Sequence, residues 1–425
     1  MKKILSALLV LAALAGCLSL TACGSSAGGG KTVTLNVYNW GEYISDGSEG
    51  SLNVNKEFER YYYETYGESV RVNYTTYASN EDMYNKLRSG ATTYDVIIPS
   101  DYMIERMVKE DMLRPLNYDE IPNFEYINED YRNLFYDPDN RYSVPYTYGM
   151  VGLIYNEDMV DGEITSWSSL WDEQYSGQIL QFNNARDAFG TAMYWAGIDV
   201  NTTNHADWDK AKELLRQQKP LVQSYVMDEI FNKMKSNSAA IAPYYAGDYL
   251  TMSEDNEALC FVYPEEGTNV FVDAMCVPTC STHPEIAERY INFMLSEDIA
   301  VANAEYIGYA SPNRLVYENE GYMADMQDIH EDAMEILYPS AENTVFTSYY
   351  QNLDQETLDY ENMLWESLKI ENSIEPWIYV VSGLIVFGVI ALLIFRVARK
   401  AYREKYYYAA ALKLDAVSGG KKHAK

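Results

Sequence analysis

Histidine and cysteine are scarce in this chain of 425 residues, which contains four His and five Cys. None of the histidines lies in an HExxH motif or in a spaced metal-binding cluster. The sequence also has no GxSxG elbow and no glycine-rich phosphate loop after a strand. These absences argue against a metalloenzyme, a serine hydrolase and a nucleotide-dependent enzyme. We therefore expect no enzymatic activity, no cofactor and no bound metal.

The small number of cysteines also limits the number of disulfide bridges. Cys17 and Cys23 belong to the N-terminal region, which leaves Cys260, Cys276 and Cys280 for the rest of the chain. Three cysteines form at most one bridge, and their redox state stays open. The fold must therefore depend on a hydrophobic core, for which 48% hydrophobic residues in a chain of this length are sufficient.

Basic residues are few in comparison with acidic ones. The chain has 32 Lys and Arg against 63 Asp and Glu, and residues 24–375 alone have 21 basic and 61 acidic residues. Such a field repels nucleic acid and attracts cations, so no nucleic-acid partner is expected. Solubility alone could explain the charge. It becomes evidence about a ligand only where acids fall at positions that line a cleft.

The N-terminus has the pattern of a secretory signal peptide over residues 1–23, with a basic start and an apolar stretch. The segment Leu20-Thr21-Ala22-Cys23 resembles a bacterial lipobox, in which the cysteine is acylated. We expect lipidation at Cys23 rather than Cys17, because a flexible Gly/Ser tether, residues 24–31, follows it directly. An ordinary signal peptide that is cleaved elsewhere is the alternative.

Near the other end, residues 377–395 form a run of 19 residues without a charge. A helix of that length spans about 28 Å, close to the hydrocarbon thickness of a bilayer. Five of the ten residues after this run are basic. The positive-inside rule predicts that the tail, residues 396–425, is cytoplasmic and that the globule lies on the outer face of the bacterial cytoplasmic membrane. A buried core helix is the alternative.

Between these ends, segments typical of strands and helices alternate. The first three predicted strands are residues 35–38, 70–74 and 94–98. Helical segments separate them, and this βαβαβ order predicts a parallel sheet with right-handed crossovers. A second α/β region follows residues 142–146 without a long linker, and its predicted strands include residues 150–155, 179–182 and 259–262. Predicted helices include residues 54–66 in the first region and residues 185–195 in the second. The pattern therefore favours two α/β lobes that are connected by several strands.

Aromatic residues stand beside acids or amides where several predicted strands end. Tyr38-Asn39-Trp40-Gly41-Glu42-Tyr43 ends the first strand, and Pro99-Ser100-Asp101-Tyr102 ends the third. Ligands of open α/β sheets bind beyond the carboxyl ends of the strands. Aromatic faces with carboxylates suit an organic cation and suit an anion poorly. We therefore expect a cleft that binds an organic cation.

From about Thr32 to Leu368 the chain resembles the extracellular substrate-binding proteins of spermidine/putrescine ABC transporters. The resemblance is carried by the first strand end and by further segments: Ser79 to Leu87, Tyr94 to Ser100, Tyr142 to Tyr146, Thr165-Ser166-Trp167, Leu170-Trp171 and Ile307 to Asn313. It implies a two-lobed α/β periplasmic-binding-protein fold with the ligand cleft between the lobes. Lobe 1 would comprise residues 32–146 and 272–312, and lobe 2 residues 147–271 and 313–370. It also implies ABC permease subunits as partners.

The resemblance implies a set of ligand-binding residues: Trp40, Tyr43, Ser100, Tyr102, Asn184, Asp187, Tyr245, Asp248, Phe271, Asp273, Tyr309 and Gln351. Asn184 replaces an Asp of spermidine-preferring members, and Phe271 replaces a Trp. These two departures and Asp248 favour putrescine, whereas Gln351 and Tyr102 favour spermidine. The preferred polyamine therefore stays open.

The sequence thus predicts an extracytoplasmic polyamine receptor that delivers putrescine or spermidine to an ABC permease. One alternative is a binding protein for another small organic cation or a metal complex. A second alternative is a membrane-anchored polyamine sensor, because relatives usually have only a lipid anchor or none. The role of the predicted membrane helix and the oligomeric state stay open.

Overall fold

The computed structural model describes residues 32–339, 345–370 and 376–419. The predicted signal peptide with Cys23 and Cys17, the whole of the predicted tether and the last six residues of the tail lie outside these ranges. The chain divides into two compact units, residues 1–365 and residues 366–425.

Ten strands lie in the described residues of the first unit. They are β1 (Val33–Trp40), β2 (Val70–Tyr77), β3 (Val96–Ile97), β4 (Ser143–Asn156), β5 (Ile179–Phe182), β6 (Val222–Val226), β7 (Ile241–Tyr245), β8 (Leu259–Val262), β9 (Thr268–Cys276) and β10 (Thr347–Ser348).

The helices of the described ranges, short 3₁₀ turns aside, begin with α1 (Val54–Tyr66), α2 (Asn80–Arg88), α3 (Asp101–Lys109), α4 (Ala185–Trp195), α5 (His205–Gln218), α6 (Glu229–Lys235) and α7 (Ala246–Ser253). They continue with α8 (Pro284–Met294), α9 (Glu297–Ile307), α10 (Arg314–Tyr317), α11 (Glu320–Ile329), α12 (Ala333–Leu337), α13 (Gln355–Ile370) and α14 (Pro376–Gly419).

The sheet is mixed, and its strand order is β2-β1-β3-β9-β4-β7-β5-β6, with β8 beside β4 and β10 beside β9. β1 pairs in parallel with β2 and β3, as the βαβαβ pattern predicts. β5 pairs in parallel with β6 and β7. The two parallel groups are joined by β9 and β4, which run antiparallel to each other and to their neighbours β3 and β7. The structure therefore has two α/β halves that share two long strands.

β4 is longer than the sequence pattern indicates, since the prediction places its start near Met150 and the strand begins at Ser143. The pairing of β4 with β9 is irregular between Pro145 and Thr147. Proline has no N–H to donate to a ladder, which explains both the irregularity and the missed start. The first part of β4 pairs with β9, and the later part pairs with β7 and β8.

The two faces of β1 are both buried. Leu35 and Val37 pack in one hydrophobic cluster with Phe58 of α1, whereas Tyr38 packs on the other face with Met83 of α2. This distribution follows from the alternation of side chains along a strand. A strand that is covered on both sides is rigid, so the residues at its carboxyl end, including Trp40, are held in fixed positions.

The second unit contains α14, a helix of 44 residues. Its segment Val380–Ala410 contains a stretch that is long and apolar enough to cross a membrane, by length and composition only. The predicted membrane span lies within α14, and the helix continues through most of the predicted tail. None of the apolar stretch is buried within the structure, which argues against the alternative of a buried core helix.

Candidate ligand-binding site

A cavity of about 910 Å³, its open mouth included, lies in the first unit. Its lining residues come from the carboxyl ends of β1, β2 and β7, from the segments that follow β3, β5 and β6, and from β9. Ligands of open α/β sheets bind at the carboxyl ends of the parallel strands, so the cavity lies where the sequence pattern predicts a ligand site.

Eleven of the twelve predicted site residues line this cavity. They are Trp40, Tyr43, Ser100, Tyr102, Asn184, Asp187, Tyr245, Asp248, Phe271, Asp273 and Tyr309. The structure therefore brings together residues that are up to 269 positions apart in the sequence. Their contact with a ligand stays a prediction.

Gln351 is the predicted residue that does not line the cavity. Its side chain is exposed, its N–H donates to Oδ1 of Asn201 at 2.8 Å, and its carbonyl accepts a bond of 3.3 Å from Arg186. These backbone bonds hold the segment so that the preceding residue, Tyr350, lines the cavity instead. The structure therefore places Tyr350 in the lining and Gln351 outside it, and a ligand contact of either residue stays a prediction.

The cavity is strongly acidic. Seven acidic residues line it, and Arg186 is the basic residue of the lining. The acids are Glu42, Glu81, Asp101, Asp187, Asp228, Asp248 and Asp273. Glu42, Glu81, Asp101 and Asp228 were not among the predicted site residues, although the first three lie in strand-end segments or in segments that carry the resemblance. These acids follow β1, β2, β3 and β6 in turn, and this position after a strand is the signal that could have identified them.

Asp187 lies in the first turn of α4, where Asn184 caps the helix by accepting the Asp187 N–H at 2.8 Å. The carboxylate Oδ2 of Asp187 accepts hydrogen bonds from Asn184 Nδ2 at 2.8 Å and from the hydroxyl of Tyr245 at 2.6 Å. Burial raises the pKa of Asp187, while these two bonds and the charge of Arg186 oppose the shift. Asn184 therefore supports this carboxylate as well as the helix.

Asp273 projects from β9 and is buried. The hydroxyl of Tyr43 donates to its Oδ2 at 2.6 Å, and Oδ1 has no hydrogen-bond partner in the described part of the chain. Burial raises the pKa of Asp273 to about 6, although the nearby hydroxyl of Ser100 and the bond from Tyr43 favour the ionised form. A buried carboxylate oxygen without a partner is costly. Asp273 is therefore suited to pair with a cationic group.

Asp248 lies in the first turn of α7, and the hydroxyl of Tyr309 donates to its Oδ2 at 2.9 Å. Burial raises the pKa of Asp248 to about 8, and the nearby negative charges of Asp228 and Glu42 act in the same direction. At neutral pH a carboxyl with such a pKa is largely protonated. A bound cation would favour its ionised form.

The tyrosines that hold these three carboxylates belong to one group of rings, which we call the central aromatic cluster: Tyr43, Tyr245, Phe271 and Tyr309. Ring centroids are 5.2 Å apart for Tyr43 and Tyr309, 6.0 Å for Phe271 and Tyr309, and 5.4 Å for Tyr245 and Phe271. The cavity thus combines three hydroxyl-bonded carboxylates with a continuous aromatic wall.

The segment after β2 organises a fourth carboxylate. The hydroxyl of Tyr102 donates to Glu81 Oε1 at 3.0 Å, and Asn80 Nδ2 donates to both Tyr102 and Ser100 at 3.1 Å. Burial raises the pKa of Glu81, against the bond from Tyr102. Ser100 and Tyr102 are therefore fixed by the same amide.

The chemistry of this lining is that of a binding site. The residues around the cavity include no histidine or cysteine, and the described residues contain no group of three or more His, Cys, Asp or Glu arranged to hold a metal ion. Carboxylates among aromatic rings bind organic cations by ion pairing and cation–π attraction. Two α/β halves around such a cavity define a solute-binding protein.

Comparison with known proteins specifies this class. Residues 91–335 match the family of bacterial extracellular solute-binding proteins, and the chain belongs to that family. The two-lobed periplasmic-binding-protein fold is therefore confirmed. The family is one of transport-associated binding proteins and not of enzymes.

Two relatives illustrate the similarity. The spermidine/putrescine-binding periplasmic protein of Salmonella typhimurium (strain LT2) is 32% identical over 333 residues, which cover 75% of this chain and 91% of that protein. The spermidine/putrescine ABC transporter substrate-binding protein PotD of Streptococcus pneumoniae has a solved structure with 33% identity and a TM-score of 0.63. The match covers 80% of this chain and 99% of that one.

A solved structure from Listeria monocytogenes is 35% identical in sequence to this chain, with a TM-score of 0.72. The match covers 80% of this chain and 99% of the Listeria chain.

Proposed function

We propose that this protein is an extracytoplasmic receptor that binds a protonated polyamine, putrescine or spermidine, and delivers it to an ABC permease. The observation that carries the proposal is the set of three carboxylates, Asp187, Asp248 and Asp273, each held by a tyrosine of the central aromatic cluster. The names of the Salmonella and Streptococcus relatives support the same ligand class.

The physical chemistry of a polyamine matches this lining. Each ammonium group needs a carboxylate, because a buried charge without a partner is strongly destabilising. The methylene segments between the ammonium groups need an apolar wall, and aromatic rings supply it with about 0.5–2 kcal/mol of cation–π attraction. The excess of six acids over bases in the lining supports a ligand with more than one positive charge.

Asn184 supports putrescine over spermidine. Its side chain is engaged on both sides, since Oδ1 accepts the Asp187 N–H and Nδ2 donates to the Asp187 carboxylate. An amide in this position offers no charge to a further ammonium group. We therefore propose that the region around Asp187 accepts a single ammonium group.

Isothermal titration of the full-length chain in detergent with putrescine, spermidine and spermine tests the proposal. We expect saturable binding of at least one of the three. The matched control is Asp139→Asn, because Asp139 is an exposed acid that does not line the cavity. Loss of binding in Asp187→Asn/Asp273→Asn with retention in Asp139→Asn supports the site, and absence of heat with every polyamine contradicts the function.

We further propose that the receptor is attached to the membrane at both ends, by a lipid on Cys23 and by α14. The apolar stretch within Val380–Ala410 and the basic residues around its C-terminal part support a helix that crosses the bilayer with its tail in the cytoplasm. Such attachment would raise the effective concentration of the receptor beside its permease.

Carbonate extraction of membranes separates the two anchors. We expect the full chain and Cys23→Ser to stay in the membrane fraction, and a chain that ends after residue 370 to stay only if Cys23 is present. Release of Cys23→Ser by carbonate would contradict a membrane-spanning α14.

The exposed apolar helix also favours a second candidate, a membrane-anchored polyamine sensor. Cross-linking in whole cells discriminates between the two, because a transport receptor contacts permease subunits and a sensor does not require them. A binding protein for another small organic cation is the remaining alternative, and it predicts no response to any polyamine in the titration.

A further inference from the structure

The ring of Tyr309 lies directly on the backbone of α7. Tyr309 follows Gly308, which ends α9 with a φ of 70°. A Cβ atom at Gly247, in the first turn of α7, would lie 2.3 Å from Tyr309 Cδ2. Carbon atoms pack at about 3.5–4.0 Å, so no side chain fits between the helix and this ring. Glycine at position 247 therefore permits the observed position of Tyr309.

A second glycine has the same relation to Phe271. Gly149 of β4 is the register partner of Phe271 in β9, and a Cβ at Gly149 would lie 2.8 Å from Phe271 Cζ. The same Cβ would lie 3.5 Å from Tyr309 Cδ1. Two glycines on different elements thus support two adjacent rings of the central aromatic cluster.

These rings connect two of the cavity carboxylates. Tyr309 donates to Asp248, the residue that follows Gly247, and its ring contacts the ring of Tyr43. Tyr43 in turn donates to Asp273. The position of Tyr309 therefore influences how Asp248 is held relative to Asp273, through hydrogen bonds of 2.9 and 2.6 Å and one ring contact.

We propose that Gly247 and Gly149 are positioning residues that set the spacing of the Asp248 and Asp273 carboxylates, and thereby the length of the diammonium ligand that the cavity accepts. The inference rests on the proposed polyamine function and specifies it. Gly247 is the more important of the two, because its overlap with the ring would be larger and because it adjoins the carboxylate itself.

Titration of the full-length protein with α,ω-diamines of three to six carbons measures this length preference. We expect the wild type to prefer one length, and Gly247→Ala to bind that diamine about tenfold more weakly or worse, since hydrogen bonds to charged groups contribute about 1.5–3 kcal/mol. The preference among lengths should flatten. Gly321→Ala in α11, which is not part of the cavity lining, is the matched control.

A double-mutant cycle separates positioning from general support of the fold. In a Tyr309→Ala background no ring overlaps with a side chain at position 247, so Gly247→Ala should cost almost nothing further. Additive penalties overturn the inference. If Gly247→Ala alone does not fold, the double variant should recover a cooperative thermal transition, and failure to recover it also counts against the inference.

A measurement without ligand keeps the two proposals distinguishable. The Tyr309 hydroxyl bond favours the ionised form of Asp248, so carboxyl-carbon NMR should find a higher Asp248 pKa in Gly247→Ala than in the wild type. An unchanged pKa contradicts the positioning role. Absence of binding of the diamines, spermidine and spermine by the wild type overturns the proposed function, whereas diamine binding with an unchanged length preference in Gly247→Ala overturns only this inference.

Discussion

Asp187 and Asp248 are the same residue type, both in the first turn of a helix, and yet their surroundings differ. Asp187 accepts two hydrogen bonds and has the guanidinium of Arg186 nearby, which opposes the rise in its pKa. Asp248 accepts one hydrogen bond of 2.9 Å, from Tyr309, and the charges near it are those of Asp228 and Glu42.

The difference shows how two carboxylates of one cavity can differ in the groups that stabilise their charge. A cationic neighbour and two donors oppose the rise in the pKa of Asp187. Burial, with a smaller contribution from acidic neighbours, raises the pKa of Asp248 to about 8, so this carboxyl is largely protonated at neutral pH until a cation binds. The region around Asp187 thus already holds groups that stabilise a carboxylate, whereas the region around Asp248 becomes charged as part of binding.

The largest effect on binding is expected at the Asp187 carboxylate. Asp187→Asn should weaken polyamine binding at least about 30-fold at pH 8, because removing one partner of a buried charge pair costs about 2–5 kcal/mol. Titration calorimetry of the full-length variant measures it. An affinity within twofold of the wild type would remove Asp187 from the site.

A smaller and pH-dependent effect is expected at Asp248. The ligand binds the ionised carboxylate, and the free protein has a raised pKa of about 8 at Asp248 and about 6 at Asp273. Affinity should therefore increase as the pH rises from 6 to 8, with release of protons to the buffer. Asp248→Asn should cost about tenfold at pH 9 and less at pH 6.

Calorimetry in buffers of different ionisation enthalpy detects these protons. The increase in affinity near pH 8 should be absent in Asp248→Asn and present in Asp139→Asn. Equal affinity of the wild type at pH 6 and pH 8, without proton release, would remove the distinction between the two carboxylates.

The raised pKa of Asp248 should also make the stability of the ligand-free protein depend on pH. A carboxyl whose pKa is raised to about 8 in the fold, from a usual value of 3.8, binds more protons in the folded than in the unfolded state between these values. Its stabilising contribution is complete below pH 4 and is lost as the pH rises towards 8. The melting temperature should fall over this range, and less so in Asp248→Asn. A decline of equal size in that variant would assign the effect to other acids.

The smallest effect is expected at Gln351. Its exposed side chain does not line the cavity, so Gln351→Ala should change affinity by less than about twofold, as is usual for surface substitutions. Tyr350→Ala is the informative comparison, since Tyr350 is buried and lines the cavity. A large loss in Gln351→Ala would restore the original prediction for this residue.

Much of the fold was predictable from local pattern. Helices α1 and α4 and strands β5 and β8 have the bounds that periodicity predicts, because capping residues and apolar spacing act over a few positions. The residue ranges of the two lobes stay a prediction. The missed elements depend on distant partners: β6 is completed by pairing with β5, and the first part of β4 is a strand because β9 lies beside it.

The candidate site was likewise predictable only in part. The aromatic and acidic residues at strand ends, with the family resemblance, predicted that Trp40, Tyr43, Asp187 and Asp273 belong to one site, and the structure places all four around one cavity. The sequence could not show that Tyr43 donates to Asp273, because 230 positions separate the two. It also did not show that Tyr350 lines the cavity and that Gln351 does not.

By itself, the sequence determined the chemical type of this protein: an acidic, aromatic-lined binding fold with an apolar segment after it. Composition, strand-end motifs and charge are properties of the residues themselves, and they hold in any arrangement. Only the tertiary structure decided which tyrosine bonds which carboxylate, which acids are protonated before binding, and where a ring lies on a glycine. Burial, pKa and close packing depend on neighbours that the chain brings together only when it folds.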